Sequence, residues 1–395
     1  MNLMLLLAII FLFTFFFGIL LERIKIPWIF AALILGLIFA FKNPYQNLTS
    51  SETFNFLSWL GMFFLLFWIG FELDLGKIKK IGKFILKSTF FIILFEAFFG
   101  SLLVHFIFGY AWFISILVAL SFATVGEGVL IPVLDEFKLT KTKLGQTILG
   151  IGVLDDIIEI FVIILAVASV PVLVSSQNLN FKEVIIPLLL FFALFLLALG
   201  VISFERRVSH LKIRGVEIGL PLILATFFLL AGFGSFAHAS ALGALLAGIA
   251  TKKSLPEKRI LILEPKIRAL TYGFLGPIFF FWVGKDTEVR YLISSPGLIF
   301  LVFFIIFGAK ILASFLVAKG ELGKKPSIFM GIALGVRFST SLVIIKFLFE
   351  NSLIGNHLYS ILIGITVASV IIPFLLSFLK QRWETSLKPH LSSTF

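Results

Sequence analysis

Apolar runs of about 17–25 residues follow one another along this 395-residue chain, separated by short polar connectors. In hydrocarbon every backbone N–H and C=O must be satisfied by protein, so each run is predicted to fold as a spanning helix. Thirteen spans are placed, at 2–22, 27–42, 54–74, 84–108, 111–137, 143–170, 184–204, 216–233, 236–251, 267–284, 296–318, 326–349 and 357–380. The second and ninth are short and need shelter from their neighbours. The expected fold is an all-α polytopic membrane protein. Composition agrees: only 14% of residues are charged and 60% are hydrophobic, where a soluble domain carries about 25% charged.

The basic residues test this layout, because cytoplasmic connectors collect Lys and Arg. Of the 33 in the chain, 26 fall on one side, four on the other (Lys42, Lys182, Lys285 and Arg290), and Lys310, Arg337 and Lys346 lie within spans. An error of one span in mid-chain destroys such a split. The N-terminus is therefore expected outside and the C-terminus inside, and the net charge of +12 is topological rather than a nucleic-acid surface. Met1-Asn2-Leu3-Met4-Leu5 has no basic region before its apolar run, which reads as a retained span and not a cleaved leader. The chain has no cysteine, excluding disulfides and thiolate metal sites. Residues 1–380 are expected to form one transmembrane domain, with 381–395 a short cytoplasmic tail. No P-loop, His cluster or Ser/His/Asp arrangement stands out, so neither an enzyme nor a cofactor is expected.

An internal repeat runs through the spans. Phe67-Trp68-Ile69-Gly70-Phe71-Glu72-Leu73-Asp74 ends the third, and Phe281-Trp282-Val283-Gly284-Lys285-Asp286-Thr287-Glu288 ends the tenth, an offset of 214. The same offset carries spans 1–6 onto 8–13, leaving span 7 as linker. Ala31 to Gly36 echoes Leu242 to Gly248 a few residues off that register. Equivalent spans seven apart must face opposite sides of the bilayer, which makes two inverted six-helix repeats, a transporter architecture. Polar or glycine-rich interruptions fall at matching depth. One holds Thr124, Gly126, Glu127 and Gly128 in span 5; the other holds Gly335, Arg337, Ser339 and Thr340 in span 12. Two crossed broken helices are predicted there. Lys310 maps onto Glu96, one ionisable group per half.

Asp155 and Asp156 stand side by side in apolar span 6. Each carboxylate in hydrocarbon costs about 2.5–3.5 kcal/mol on insertion scales, so such a pair marks function. Desolvation and mutual repulsion make one of them easier to protonate. A dehydrated Na⁺ or Li⁺ then competes with protons for the same oxygens. Lys310 either balances a buried acid, with Asp155 the expected partner, or itself releases a proton. Thr124 offers a hydroxyl to the ion. Glu127 is an ion-path carboxylate or a counter-charge to Arg337; Glu159, one turn beyond the aspartates, lines an access funnel or meets a cation. Glu96 is a partner for Arg337 or Lys346. His105 and His238, on apolar spans, read as packing residues.

The chain resembles the monovalent cation:proton antiporter superfamily, in its second branch of bacterial Na⁺/H⁺ and K⁺/H⁺ exchangers. The carriers are Phe67 to Asp74, the Thr124 break followed by Val133-Leu134-Asp135-Glu136, Asp155-Asp156, Ala241 to Gly248, and Lys310. The resemblance implies an ion-carrying core at about 84–170 and 296–380, and a homodimerising scaffold at about 1–74 and 184–284 on which the core moves as an elevator. It implies Asp156 as the main Na⁺ and proton carrier, with Asp155 paired to Lys310. A pair of acids at this motif implies electrogenic exchange. Two departures stand out: Phe338-Ser339 replaces the Gly-Glu that follows the arginine in many relatives, and Glu127 and Glu159 are additional acids. The expected function is secondary active Na⁺(Li⁺)/H⁺ exchange across a bacterial inner membrane, serving pH homeostasis. A K⁺/H⁺ exchanger of the same fold and a cation channel are the alternatives.

Overall fold

The computed structural model describes residues 2–24, 26–73, 82–123, 125–174, 181–209, 216–337 and 339–387. Helices overlie every predicted span. The first repeat comprises α1 (Leu3–Arg23), α2 (Phe30–Phe41), α3 (Glu52–Glu72), α4 (Lys83–Phe108), α5 (Trp112–Phe122), α6 (Glu127–Glu136) and α7 (Lys143–Val174). The linker is α8 (Phe181–Ser209). The second repeat comprises α9 (Val216–Ser235), α10 (Ser240–Ser254), α11 (Glu257–Arg268), α12 (Gly276–Lys285), α13 (Pro296–Leu322), α14 (Lys324–Leu334), α15 (Ser339–Glu350), α16 (Asn356–Ala368) and α17 (Ile372–Leu387). A π-helical stretch, Ala269–Leu275, joins α11 to α12, so the tenth predicted span is the end of a longer helix. The last helix likewise runs past residue 380 to Leu387, and the rest of the expected tail lies outside the described residues.

Among the described residues, six helical stretches are long and apolar enough to cross a membrane: Leu3–Arg23, Glu52–Glu72, Lys83–Phe108, Lys258–Lys285, Pro296–Leu322 and Asn356–Trp383. Polarity is inverted relative to a soluble protein. Phe15, Phe16, Leu94, Phe98, Phe300 and Phe304 face outward, whereas Glu96, Asp155, Lys310 and Lys346 are almost completely buried. Charges inside and large apolar groups outside suit a surround of lipid.

The repeat is written into the packing. α3 packs on α10, and its counterpart α12 packs on α2; α4 packs on α5 and α7 as α13 does on α14 and α16. Glycines set the first two crossings. A Cβ on Gly70 would fall 2.1 Å from Leu245 O and one on Gly248 2.0 Å from Phe67 O. On the equivalent crossing, a Cβ on Gly36 would fall 2.2 Å from Phe281 O and one on Gly284 2.3 Å from Leu33 O. Backbones meet at these points, as small residues allow within membranes. The Phe-Trp-x-Gly echo therefore has a packing cause.

Spans 5 and 12 are each broken, into α5 with α6 and α14 with α15. The two breaks cross, and Gly126 N–H donates to Val336 O at 2.7 Å. Each interruption thus satisfies part of the other's freed backbone, the condition for irregular chain at membrane depth.

Candidate site at the crossed helix breaks

The site is assembled by four segments. α4 contributes Glu96, α7 contributes Asp155, α13 contributes Lys310, and the second break contributes Arg337. All four side chains are at most 3% exposed. Lys310 Nζ donates to Ala123 O and to Leu334 O, both at 2.9 Å. Those carbonyls close α5 and α14. Two helix C-termini, each carrying unsatisfied carbonyls and a partial negative charge, therefore point at one ammonium. The same Nζ lies 2.9 Å from Glu96 Oε2.

Arg337 occupies the other side of the Glu96 carboxylate, with NH2 2.5 Å from Oε1. Its NH1 donates to Phe122 O, and its guanidinium stacks 4.0 Å over the Phe122 ring. Glu96 therefore carries one cation on each oxygen. Asp155 Oδ2 accepts from Val125 N–H at 2.5 Å, just ahead of the N-terminus of α6, where a helix favours an anion. Asp155 also acts electrostatically on both Lys310 and Arg337.

Glu96 is a carboxylate in direct contact with Lys310, while Asp155, the expected partner, accepts from a backbone amide of the first break and acts electrostatically on the same ammonium. The reason is positional: the offset of 214 puts Glu96 and Lys310 at equivalent depth on α4 and α13, which pack face to face. Of the two cations considered for Glu96, Arg337 is present, whereas Lys346 pairs instead with Asp286 and Glu350. Glu159 is buried on α7 one turn beyond Asp155. Thr124 lies outside the described residues, as do the side chains of Asp156, Glu127 and Ser339, whose backbones lie in α7, α6 and α15. His105 stacks on Trp112 at 4.0 Å with Nδ1 2.6 Å from Tyr110 O, a packing role. His238 is not on a span: it takes φ +52° in the turn before α10.

Residue-level reading overlooked the backbone partners. Ala123 O, Leu334 O and the Val125 N–H bind the charged side chains, and only the predicted breaks hinted at them. Chemically, the described quartet balances two carboxylates against two cations. Asp156 and Glu159 are two further acids of the same helix, α7.

Comparison with known proteins agrees with this reading. The family model for sodium/hydrogen exchanger, transmembrane, matches residues 9–379. The probable Na(+)/H(+) antiporter 3 of Methanocaldococcus jannaschii is 26% identical over 360 residues, covering 89% of this chain and 90% of that one. The Na(+)/H(+) antiporter of Enterococcus hirae is 25% identical over 334 residues, covering 82% and 84%. The K(+)/H(+) antiporter subunit KhtU of Bacillus subtilis is 29% identical over 276 residues, covering 68% and 66%. Among solved structures, the sodium proton antiporter MjNhaP1 from Methanocaldococcus jannaschii at pH 8 shares the fold, with a TM-score of 0.63 at 17% identity over 98% of this chain and 97% of that one. With crossed broken helices, a buried acid–base network and a matching model along nearly its whole length, the chain belongs to the sodium/hydrogen exchanger family of the monovalent cation:proton antiporter superfamily, as a multi-pass membrane transporter.

Proposed function

We propose that the protein exchanges cytoplasmic Na⁺ or Li⁺ for external protons across a bacterial inner membrane, electrogenically and by an elevator movement. The observation carrying this reading is the anchoring of Asp155 on the first break, beside Lys310, Glu96 and Arg337 and next in sequence to Asp156. Deprotonated, the aspartates offer hard oxygens to a dehydrated monovalent cation, with the Thr124 hydroxyl as a further ligand. Protonated, they release it. A two-carboxyl site that alternates between two protons and one monovalent cation changes charge by one unit per cycle, hence electrogenic exchange. Proton and metal never share the site, which couples their fluxes.

Support for the elevator comes from the internal ties of each body. The proposed core, at about 84–170 and 296–380, is bound by the Glu96–Lys310–Arg337 network and the crossed breaks. The proposed scaffold, at about 1–74 and 184–284, is bound by the glycine crossings of α2 with α12 and α3 with α10. Sliding along the boundary disturbs neither set. The scaffold supplies the surface for a homodimer, and the basic connectors set the N-terminus outside and the C-terminus in the cytoplasm.

Everted vesicles test this. Added Na⁺ should collapse a respiration-generated pH gradient, and Asp156→Asn should abolish the response; full activity of that variant removes the assignment. K⁺/H⁺ exchange is the second reading, favoured by the likeness to a relative named as a K(+)/H(+) antiporter subunit. K⁺ in place of Na⁺ in the same assay separates the two. A channel would instead show cation conductance without coupled proton flux.

A further inference from the structure

Lys346 is a second fully buried ammonium, and the network around Asp155 does not involve it. It projects from α15 with Nζ 2.6 Å from Asp286 Oδ2 and 2.7 Å from Glu350 Oε1. The rings of Trp282, Phe349 and Tyr359 surround it, their centroids 4.0, 4.9 and 5.4 Å from Nζ. Asp286 is shared, with Oδ1 2.6 Å from Lys285 Nζ. Two hydrogen bonds close the same seam: Tyr359 Oη donates to Val283 O and Glu288 N–H donates to Ser360 Oγ, both at 2.8 Å. Trp282, Val283, Lys285, Asp286 and Glu288 lie on or just beyond α12, at the end of the proposed scaffold. Lys346, Phe349, Glu350, Tyr359 and Ser360 belong to the proposed core. The cluster is therefore a join across the boundary along which the core would slide.

The repeat makes this join one-sided. The offset of 214 carries Trp282 onto Trp68, Asp286 onto Glu72 and Glu350 onto Glu136, retaining the ring and both acids. It carries Lys346 onto Pro132, which has no charge to offer. Alternating access in an inverted repeat exchanges the arrangement of one half for that of the other. The opposite conformation would thus close the second seam without a lysine supplied by α6.

We infer that Lys346, held between Asp286 and Glu350 inside an aromatic cage, is a positioning residue that latches the core to the scaffold on one face only and so biases the protein toward the conformation seen here. It touches no transported ion. The inference rests on the core-and-scaffold division proposed above. Rupture of the latch accompanies each cycle, and its strength sets the balance of the two access states.

The test uses the full chain in proteoliposomes. With no native cysteine, Glu288→Cys with Ser360→Cys introduces a single thiol pair. The 2.8 Å contact puts the two Cα atoms within disulfide reach, about 7 Å. Cross-linking by iodine then reads the joined seam. Adding Lys346→Met should slow cross-linking about tenfold by removing one partner of a buried cluster. Lys346→Arg should recover most of the rate, since guanidinium keeps the charge and stacks on Trp282. Glu350→Gln, a milder change that leaves Asp286 in place, should give an intermediate rate. A parental rate in Lys346→Met, or a slow rate that Lys346→Arg leaves unrecovered, overturns the latch. The outcomes are separable: absence of cation-coupled proton flux in the unmodified protein sinks the antiporter reading, and parental cross-linking with flux intact sinks the latch alone.

Discussion

Replacing Glu96 by Gln is the sharpest perturbation of the ion network, because one carboxylate serves two buried cations. At an effective dielectric of about 20, opposite charges 2.9 Å apart attract by about 6 kcal/mol. Desolvation consumes part of this, so removing one partner of such a buried pair costs about 3–5 kcal/mol. Gln keeps the volume and one acceptor, but it leaves Lys310 and Arg337 facing each other with Asp155 as the remaining acid of the described quartet. At about 2 °C per kcal/mol, the melting midpoint in detergent should fall by several degrees. Pairing Glu96→Gln with Lys310→Met tests the cause, since a neutral pair is tolerated better than an orphaned charge. The double variant should be more stable than the sum of the singles by about 2 kcal/mol or more, the signature of direct coupling. The parallel cycle of Asp155→Asn with Lys310→Met should give a smaller value. Additive losses at Glu96 and Lys310, or larger coupling at Asp155, would refute the assignment of Glu96 as the partner of Lys310.

Other outcomes follow from the geometry. Gly284→Ala should destabilise by about 1–3 kcal/mol or block assembly, because its Cβ would overlap Leu33 O. Gly200→Ala in α8, where a Cβ meets nothing within 4 Å, should be neutral or stabilising by up to about 1 kcal/mol; both are read by thermal unfolding in detergent. Asp155→Asn keeps an oxygen for Val125 N–H while removing the charge, so the protein should fold and retain exchange but lose its response to an imposed membrane potential. Flux with and without a potassium–valinomycin voltage clamp reads that loss.

The fold was legible because lipid is a strict solvent. Apolar run length and the distribution of Lys and Arg place the helices, while the Phe-Trp-x-Gly echo marks the repeat and, through Gly70 and Gly284, its two closest crossings. Even the breaks announce themselves, as Gly126 and Arg337 have no place in a continuous lipid-facing helix. Charge partners were harder to read. A sequence shows that Lys310 needs an anion but not which of several buried acids lies within 3 Å, and it cannot show that two helix C-termini share the same ammonium. The map of Lys310 onto Glu96 held the answer, since residues related by the repeat meet near its pseudo-axis. The partners of Lys346, Asp286 and Glu350, were missed for a similar reason. They lie on the half-buried stretch Lys285–Glu288 and at the end of α15, where acids ordinarily read as solvated.

The central claim is that protons and a monovalent cation exclude each other from one buried acidic pocket. The direct measurement is the apparent Na⁺ affinity of the purified protein as a function of pH, by calorimetry, with Li⁺ and K⁺ in parallel. Where the acids titrate, affinity should weaken about tenfold per pH unit of acidification for every proton displaced, and Asp156→Asn should show no binding. An affinity that does not change with pH would contradict the account.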